Sequence, residues 1–187
     1  MIAYIDYAKA FDSVSHSKLI IKLQAYGITG DLLNWVKNFL CDRHQCTRVG
    51  QCCSGFRKIV SIVVKGSVIG PLLFTLYIND VVDIFVNSAN HSRDCSVQMY
   101  ADDLKIYTVI DSAEDVTQFQ RHLDALVTWS HKWQLYISSK KCNLLYCGSI
   151  DGPDVLIDGS VICKAHCVRD LGVLVDPQLK FMVLVYI

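Results

Sequence analysis

Two short alternating apolar runs, Val97 to Ala101 and Leu104 to Tyr107, meet at Asp102-Asp103. Alternation with a period of two reads as strand, and so short a junction leaves only an antiparallel hairpin with the acidic pair at its tip. Aspartate is common in turns because its carboxylate bonds nearby backbone, so the pair alone is equally well read as an ordinary solvated turn. Asp6 changes that balance. It ends another alternating run, Ile2 to Ile5, and is followed by Tyr7-Ala8-Lys9-Ala10-Phe11-Asp12, which puts a further carboxylate at a strand end.

Carboxylates gathered at strand ends hold divalent cations. Two such ions roughly 3.5 to 4 Å apart stabilise the attacking and leaving oxygens of an in-line phosphoryl displacement, the chemistry of nucleotidyl transfer. Magnesium suits the arrangement, since it takes carboxylate oxygens, keeps some waters and accepts substrate phosphates as remaining ligands. The ordinary alternative, three unrelated surface acids, stands for any chain with 18 Asp plus Glu.

Longer motifs carry a resemblance. Ala3-Tyr4-Ile5-Asp6-Tyr7-Ala8-Lys9-Ala10-Phe11-Asp12-Ser13-Val14-Ser15-His16 resembles the first catalytic block of reverse transcriptases of non-LTR (LINE-type, jockey-like) retrotransposons. Gly66-Ser67-Val68-Ile69-Gly70-Pro71-Leu72-Leu73-Phe74, continued by Leu76 to Asp80, resembles the second block, and Tyr100-Ala101-Asp102-Asp103 the third, in the right order. Trp129 to Gly148 is similar to the fourth block and Asp170-Leu171-Gly172-Val173 to the fifth, so the likeness runs from Met1 to about Phe181. The resemblance implies an RNA-directed DNA polymerase that uses Mg2+ (or Mn2+), an RNA template, a DNA primer and deoxynucleoside triphosphates. It implies Asp6 and Asp102 as metal-binding carboxylates and Asp103 as the third acid. It puts Tyr100 beside the primer terminus, Lys141 in the place of the fourth block's lysine, and Phe11 in the place of a bulky gate against a ribose 2'-hydroxyl. The other reading of Phe11 is core.

Gly66 and Gly70 with Pro71 read as a turn into a helix, where proline is favourable in the first turn, and Leu72, Leu73 and Leu76 as its apolar stripe. A glycine in such a turn lets backbone approach a base or sugar closely. Where the family usually has Pro-Gln before this glycine, the chain has Val64-Lys65. Lys65 meets a phosphate as a point charge but does not reproduce an amide's paired donor and acceptor.

At 187 residues and 52% hydrophobic content the chain has ample material for a packed core. Its net charge is zero, whereas a domain that grips a duplex by its phosphates usually carries a basic surplus. The basic clusters are small: Arg43, His44 and Arg48; Arg57, Lys58 and Lys65; Lys132, Lys140 and Lys141. Such clusters are usually solvated faces. Nine cysteines, an odd count with no secretory signal, point to reduced intracellular thiols in the cytoplasm or nucleus. Cys163, His166 and Cys167 are the best zinc candidates, but no second ligand pair at finger spacing accompanies them. Lys65, Asn79, Asp80 and Asp83 interrupt the apolar stretch from Ile59 to Val86, so no membrane span is expected.

The spacing predicts a helix from about Ser17 to Tyr26, stopped by Gly27, and a second carrying Leu32, Leu33, Val36, Phe39 and Leu40 behind a cap at Thr29 or Asp31. Gln45 to Val60 reads as a pair of short strands around Gly50-Gln51, and Asn87 to Cys95 as a polar loop. A long helix follows, capped by Ser112-Ala113-Glu114-Asp115, with Val116, Phe119, Leu123, Leu126 and Val127 on one face. The pattern is α+β: a small antiparallel sheet backed by helices, in which the resemblance implies a polymerase palm with a ferredoxin-like core. One reverse transcriptase domain over residues 1–181 is expected, with a divergent end at 182–187. Fingers before the first block and a thumb after the last have no place in this chain, so a truncated copy is expected. Two further readings stay open: a non-catalytic remnant that binds nucleic acid or a protein, and another two-metal enzyme such as a nucleotide cyclase.

Overall fold

A computed structural model describes residues 1–63, 66–86, 95–148 and 152–183. Lys65, most of the loop expected over Asn87 to Cys95, and the last four residues of the terminal run lie outside the described residues. The chain forms two compact units. One is built from Met1–Ala8, Asp80–Lys132 and the chain from Tyr136 onward; the other from Lys9–Asn79 and Trp133–Leu135.

The first unit is organised by a five-stranded sheet in the order Cys163–Lys164, Asn143–Leu145, Ile2–Ile5, Asp103–Tyr107, Ser96–Tyr100. The last two strands are the expected hairpin, paired from Ser96 with Tyr107 to Tyr100 with Asp103. The sheet is mixed, not purely antiparallel, because the edge strand Cys163–Lys164 runs parallel to Asn143–Leu145. A parallel neighbour needs a long crossover, and the chain supplies one through the small hairpin of Leu156–Ile157 and Ser160–Val161.

Alternation divides the sheet into two faces. Ala3, Ile5, Leu104, Ile106 and Leu144 are all buried on one of them. On the other, Leu145 clusters with Val168 and Val175, with Ile2, Tyr4 and Ala165 packed against them. Val168 and Val175 come from a separate three-stranded sheet, Val168–Asp170, Val173–Val175 and Phe181–Val183.

The long helix Ala113–Trp133 belongs mainly to this unit and buries Phe119, Leu123, Leu126 and Trp129 at helical spacing, while Val116 and Val127 are only half-buried. Its start is a reciprocal cap: the Ser112 amide donates to the Asp115 carboxylate at 2.8 Å and the Asp115 amide to the Ser112 hydroxyl at 3.3 Å. The indole N–H of Trp129 donates to Asp80 at 3.1 Å, so the acid that ends the second block anchors this helix.

The second unit holds helices His16–Ala25, Gly30–Leu40 and Gly70–Ile78. The first stops at Tyr26, where Gly27 takes φ +81°, a conformation that favours glycine. Thr29 stands at the N-cap of the second without a side-chain cap bond, and Leu32 is exposed while Leu33, Val36 and Leu40 are buried. In the third, the buried stripe is Leu73, Phe74, Tyr77 and Ile78: of the expected Leu72, Leu73 and Leu76, Leu73 is buried, Leu76 half-buried and Leu72 exposed. Leu72 is exposed because the i, i+3, i+4 row through Gly70 selects the other side. Lys22, only 3% exposed, donates to the Tyr77 carbonyl at 2.5 Å and lies 3.9 Å from the Trp133 ring centroid, which compensates a buried ammonium. Between the second and third helices runs a ribbon of short strands, His44–Gln45 with Arg57–Lys58 and Arg48–Val49 with Cys52–Cys53, turning at Gly50-Gln51 as expected. Among the described residues, no helix is long and apolar enough to cross a membrane.

Candidate active site

Pleating puts polar residues on the open face of the sheet in the first unit. Tyr4 pairs with Lys105 and with Asn143, Lys105 with Gln98, and Tyr100 with Asp103; Tyr4, Lys105 and Asn143 stand between buried neighbours, while Gln98 and Tyr100 lie on an edge strand with no buried residue. One step beyond the pair of Ile5 with Leu104 stand Asp6 and Asp103, side by side at the strand ends. These residues, with Lys141 and the segment Val168–Leu171, line a cavity of about 210 Å³.

Four sequence-derived candidates therefore share one cavity: Asp6, Asp103, Tyr100 and Lys141. Asp102 does not line it. It occupies the hairpin tip, close enough for its charge to act on Asp103. Phe11 and Gly66 belong to the other unit. There Phe11 stacks on Phe74 with ring centroids 4.1 Å apart, so the ring is held by packing. Gly66 takes φ +80° in the turn before the helix Gly70–Ile78, whose first amide is capped by the Ser67 hydroxyl at 3.0 Å. A side chain at position 66 would strain that turn.

The electrostatics are those of crowded acid. Asp103 retains water contact, yet partial burial of its carboxyl, then the charges of Asp102, Asp6 and Asp170, push its proton affinity above the usual carboxylate range. The Lys141 ammonium lies 3.4 Å from Asp6, and the Asp6 carbonyl accepts the Ser138 amide at 2.8 Å, fixing the backbone under the carboxylate. Burial, then Asp170 and Cys147, push the Tyr4 phenol up to about 12, so it stays neutral.

Sequence reading missed the pair that forms one wall. Lys105 and Asp170 meet at 2.5 Å with side chains only 25% and 19% exposed, joining the acidic hairpin to the strand Val168–Asp170. Alternation from Asp103 would have placed Lys105 on this face; its partner lies too far along the chain to be read from periodicity. Both hairpins beside the cavity also hold a non-glycine residue in the left-handed region, Ala101 at φ +52° and Leu171 at φ +47°. Such strain is typical of positions fixed for reasons other than stability.

Among the described residues, no three Asp, Glu, His or Cys side chains converge tightly enough to enclose a metal by themselves. This holds for the cysteine candidates too, since Cys163 and Cys167 are exposed free thiols. Magnesium asks for less, being commonly held by one or two carboxylates, with waters and substrate phosphates completing six positions. Asp6 and Asp103 offer hard oxygens at one spot, and a cation relieves the repulsion that raises Asp103. The donor set fits a divalent ion.

Residues 1–175 match the reverse transcriptase (RNA-dependent DNA polymerase) family. The chain is 30% identical over 181 residues to the RNA-directed DNA polymerase from mobile element jockey of Drosophila funebris. It is 28% identical over 192 residues to the probable RNA-directed DNA polymerase from transposon BS of Drosophila melanogaster. Each alignment takes in 95% of this chain but 20% of the relative, so the chain spans about a fifth of their length. In fold it is similar to an apo telomerase from Candida tropicalis truncated from its C-terminal domain, with a TM-score of 0.64 and 10% identity, over 97% of this chain and 35% of that one.

Proposed function

Because this chain belongs to the reverse transcriptase (RNA-dependent DNA polymerase) family, we propose that it carries the palm of an RNA-directed DNA polymerase, with Asp6, Asp102 and Asp103 as its metal-binding acids. The observation that carries this reading is the convergence of Asp6, Asp103, Tyr100 and Lys141 on one cavity, from segments far apart in the chain. Met1 to about Phe181 make up one reverse transcriptase domain, to which both compact units contribute, and its sheet is the ferredoxin-like core of the palm.

In the proposed reaction a primer 3'-hydroxyl attacks the α-phosphate of a deoxynucleoside triphosphate. The new P–O bond forms as the bond to the departing pyrophosphate breaks. Mg2+ or Mn2+, when bound, supplies Lewis acidity that lowers the hydroxyl's pKa and neutralises the triphosphate. Asp6 and Asp103 hold hard oxygens on the cavity wall, and Asp102 adds charge from the hairpin tip. Tyr100, whose side chain is exposed, presents its ring at the cavity mouth to the primer end. Lys141 offsets the Asp6 charge and presents donors to phosphate oxygens. Phe11 supports a gating role because a gate works only when its ring is locked by packing, as stacking on Phe74 locks it. Gly66 is the proposed point of close backbone approach to the nucleotide.

The test is extension of oligo(dT) on poly(rA) with magnesium or manganese, comparing the chain with Asp102→Ala and Asp103→Asn. Extension that disappears in both variants is the expected result. Extension that persists in both, or none in the parent although manganese binds, would favour the remnant that only binds.

A further inference from the structure

The basic residues between positions 43 and 58 look like separate small clusters in the sequence, but strand pairing brings them together. His44 pairs with Lys58 and Gln45 with Arg57, while Arg48 faces Cys53 in the inner hairpin. Within this span stand Arg43, Arg48, Arg57 and Lys58 and no acidic residue, in a chain whose net charge is zero. Asp42, just before it, pairs with Lys58 at 3.4 Å across an exposed gap, a contact worth little.

The ribbon is also unusual in having no buried face. Every residue of its four strands is exposed, Val49 at 75%, and so is Phe56, between the third and the fourth, at 76%. A two-sided, solvated ribbon of short strands has little packing to hold it, and an aromatic ring on it contributes nothing to a core. Aromatic surface continues along the preceding helix. Trp35, 53% exposed, stacks on Phe39 at 6.0 Å, and the Arg43 guanidinium lies 4.5 Å from the Phe39 ring while donating to its carbonyl at 2.6 Å. Phe56 and Arg57 line a shallow cavity of about 610 Å³ with Gln45, Thr47 and Ser54.

Exposed rings interleaved with a surplus of cations are the chemistry of single-stranded nucleic acid: bases stack on the rings and phosphates meet the cations. A duplex hides the base faces that rings need. We propose that Trp35, Arg43, Phe56, Arg57 and Lys58 form a binding strip for single-stranded RNA. The choice of RNA rests on the polymerase reading; the strip itself does not.

The experiment is fluorescence anisotropy of the full chain with a labelled oligo(rU), under reducing conditions because Cys46, Cys52 and Cys53 on the ribbon are exposed. Oligo(dT) and an RNA duplex serve as competing probes. Three phosphate contacts give a log–log salt slope of about −2, a loss of roughly 20-fold in affinity between 50 and 200 mM salt. Phe56→Ala is expected to weaken binding roughly tenfold. Arg57→Ala should flatten the slope by about 0.7. Both sites are exposed, and an unchanged melting temperature shows that the variants fold. Parental affinity in both variants, tighter binding of oligo(dT), or equal binding of the duplex would overturn the proposal. Asp103→Asn separates the two readings. If the parent extends no primer yet Phe56→Ala still weakens RNA binding, the polymerase reading falls and the strip stands. If extension depends on Asp103 while the ribbon variants bind as the parent does, the strip falls alone.

Discussion

The two faces of the five-stranded sheet are drawn from the same strands and do opposite things. One carries Ala3, Ile5, Leu104, Ile106 and Leu144, apolar and sealed; the other carries Tyr4, Asp6, Gln98, Asp103, Lys105 and Asn143, polar and lining a cavity. Because successive residues point to opposite sides, Tyr4, Asp6, Lys105 and Asn143 each stand between two buried neighbours in sequence. Stability and chemistry are thus separated by a single residue step, and a slip of one position would exchange them.

The largest effect expected from breaking this division is on the sealed face. Leu104→Ala removes a side chain that is 2% exposed, and calorimetry or urea unfolding should show a loss of about 2 to 5 kcal/mol. On the cavity face, Lys105→Ala leaves Asp170 without its close partner and should cost about 1 to 3 kcal/mol; adding Asp170→Ala should recover part of it, which a double-mutant cycle measures. Ala101→Gly should stabilise by about 1 kcal/mol, because glycine takes the left-handed turn conformation without steric cost.

The smallest effect sharpens the comparison most. The raised Asp103 carboxyl holds its proton more tightly folded than unfolded, so ionisation opposes folding: its contribution is complete below about pH 4 and is lost as pH rises through the folded value. Metal-free Asp103→Asn should therefore melt slightly above the parent once pH exceeds about 4, with the gap closing below that pH. Manganese should reverse the order.

Much of this was legible because it is local. The hairpin follows from alternation on both sides of a short turn, although the turn is Ala101-Asp102 and Asp103 already pairs with Tyr100; the helix at Ala113 follows from its capping residues, and the strand-end placement of Asp6 from the run before it. What failed depended on the rest of the molecule. The sequence reads Leu72, Leu73 and Leu76 as the apolar row of the helix Gly70–Ile78, and Leu73 is the one fully buried, because periodicity alone does not say which side of an apolar helix is covered. The parallel edge strand Cys163–Lys164 is too short to show direction in sequence. Asp6 and Asp103 were predicted as members of one site, but only the register shows that they, and not Asp102, share the cavity wall. The merging of Arg43, Arg57 and Lys58 into one strip likewise depends on pairing that the sequence does not announce.

The central claim is that the polar face of the sheet holds a divalent cation for nucleotidyl transfer. Electron paramagnetic resonance of Mn2+ titrated into the chain with a deoxynucleoside triphosphate tests it directly, with Asp6→Asn and Asp103→Asn beside the parent. The parent is expected to bind the ion, and each variant to weaken it at least tenfold with its melting temperature preserved; parental affinity in both folded variants would overturn the assignment.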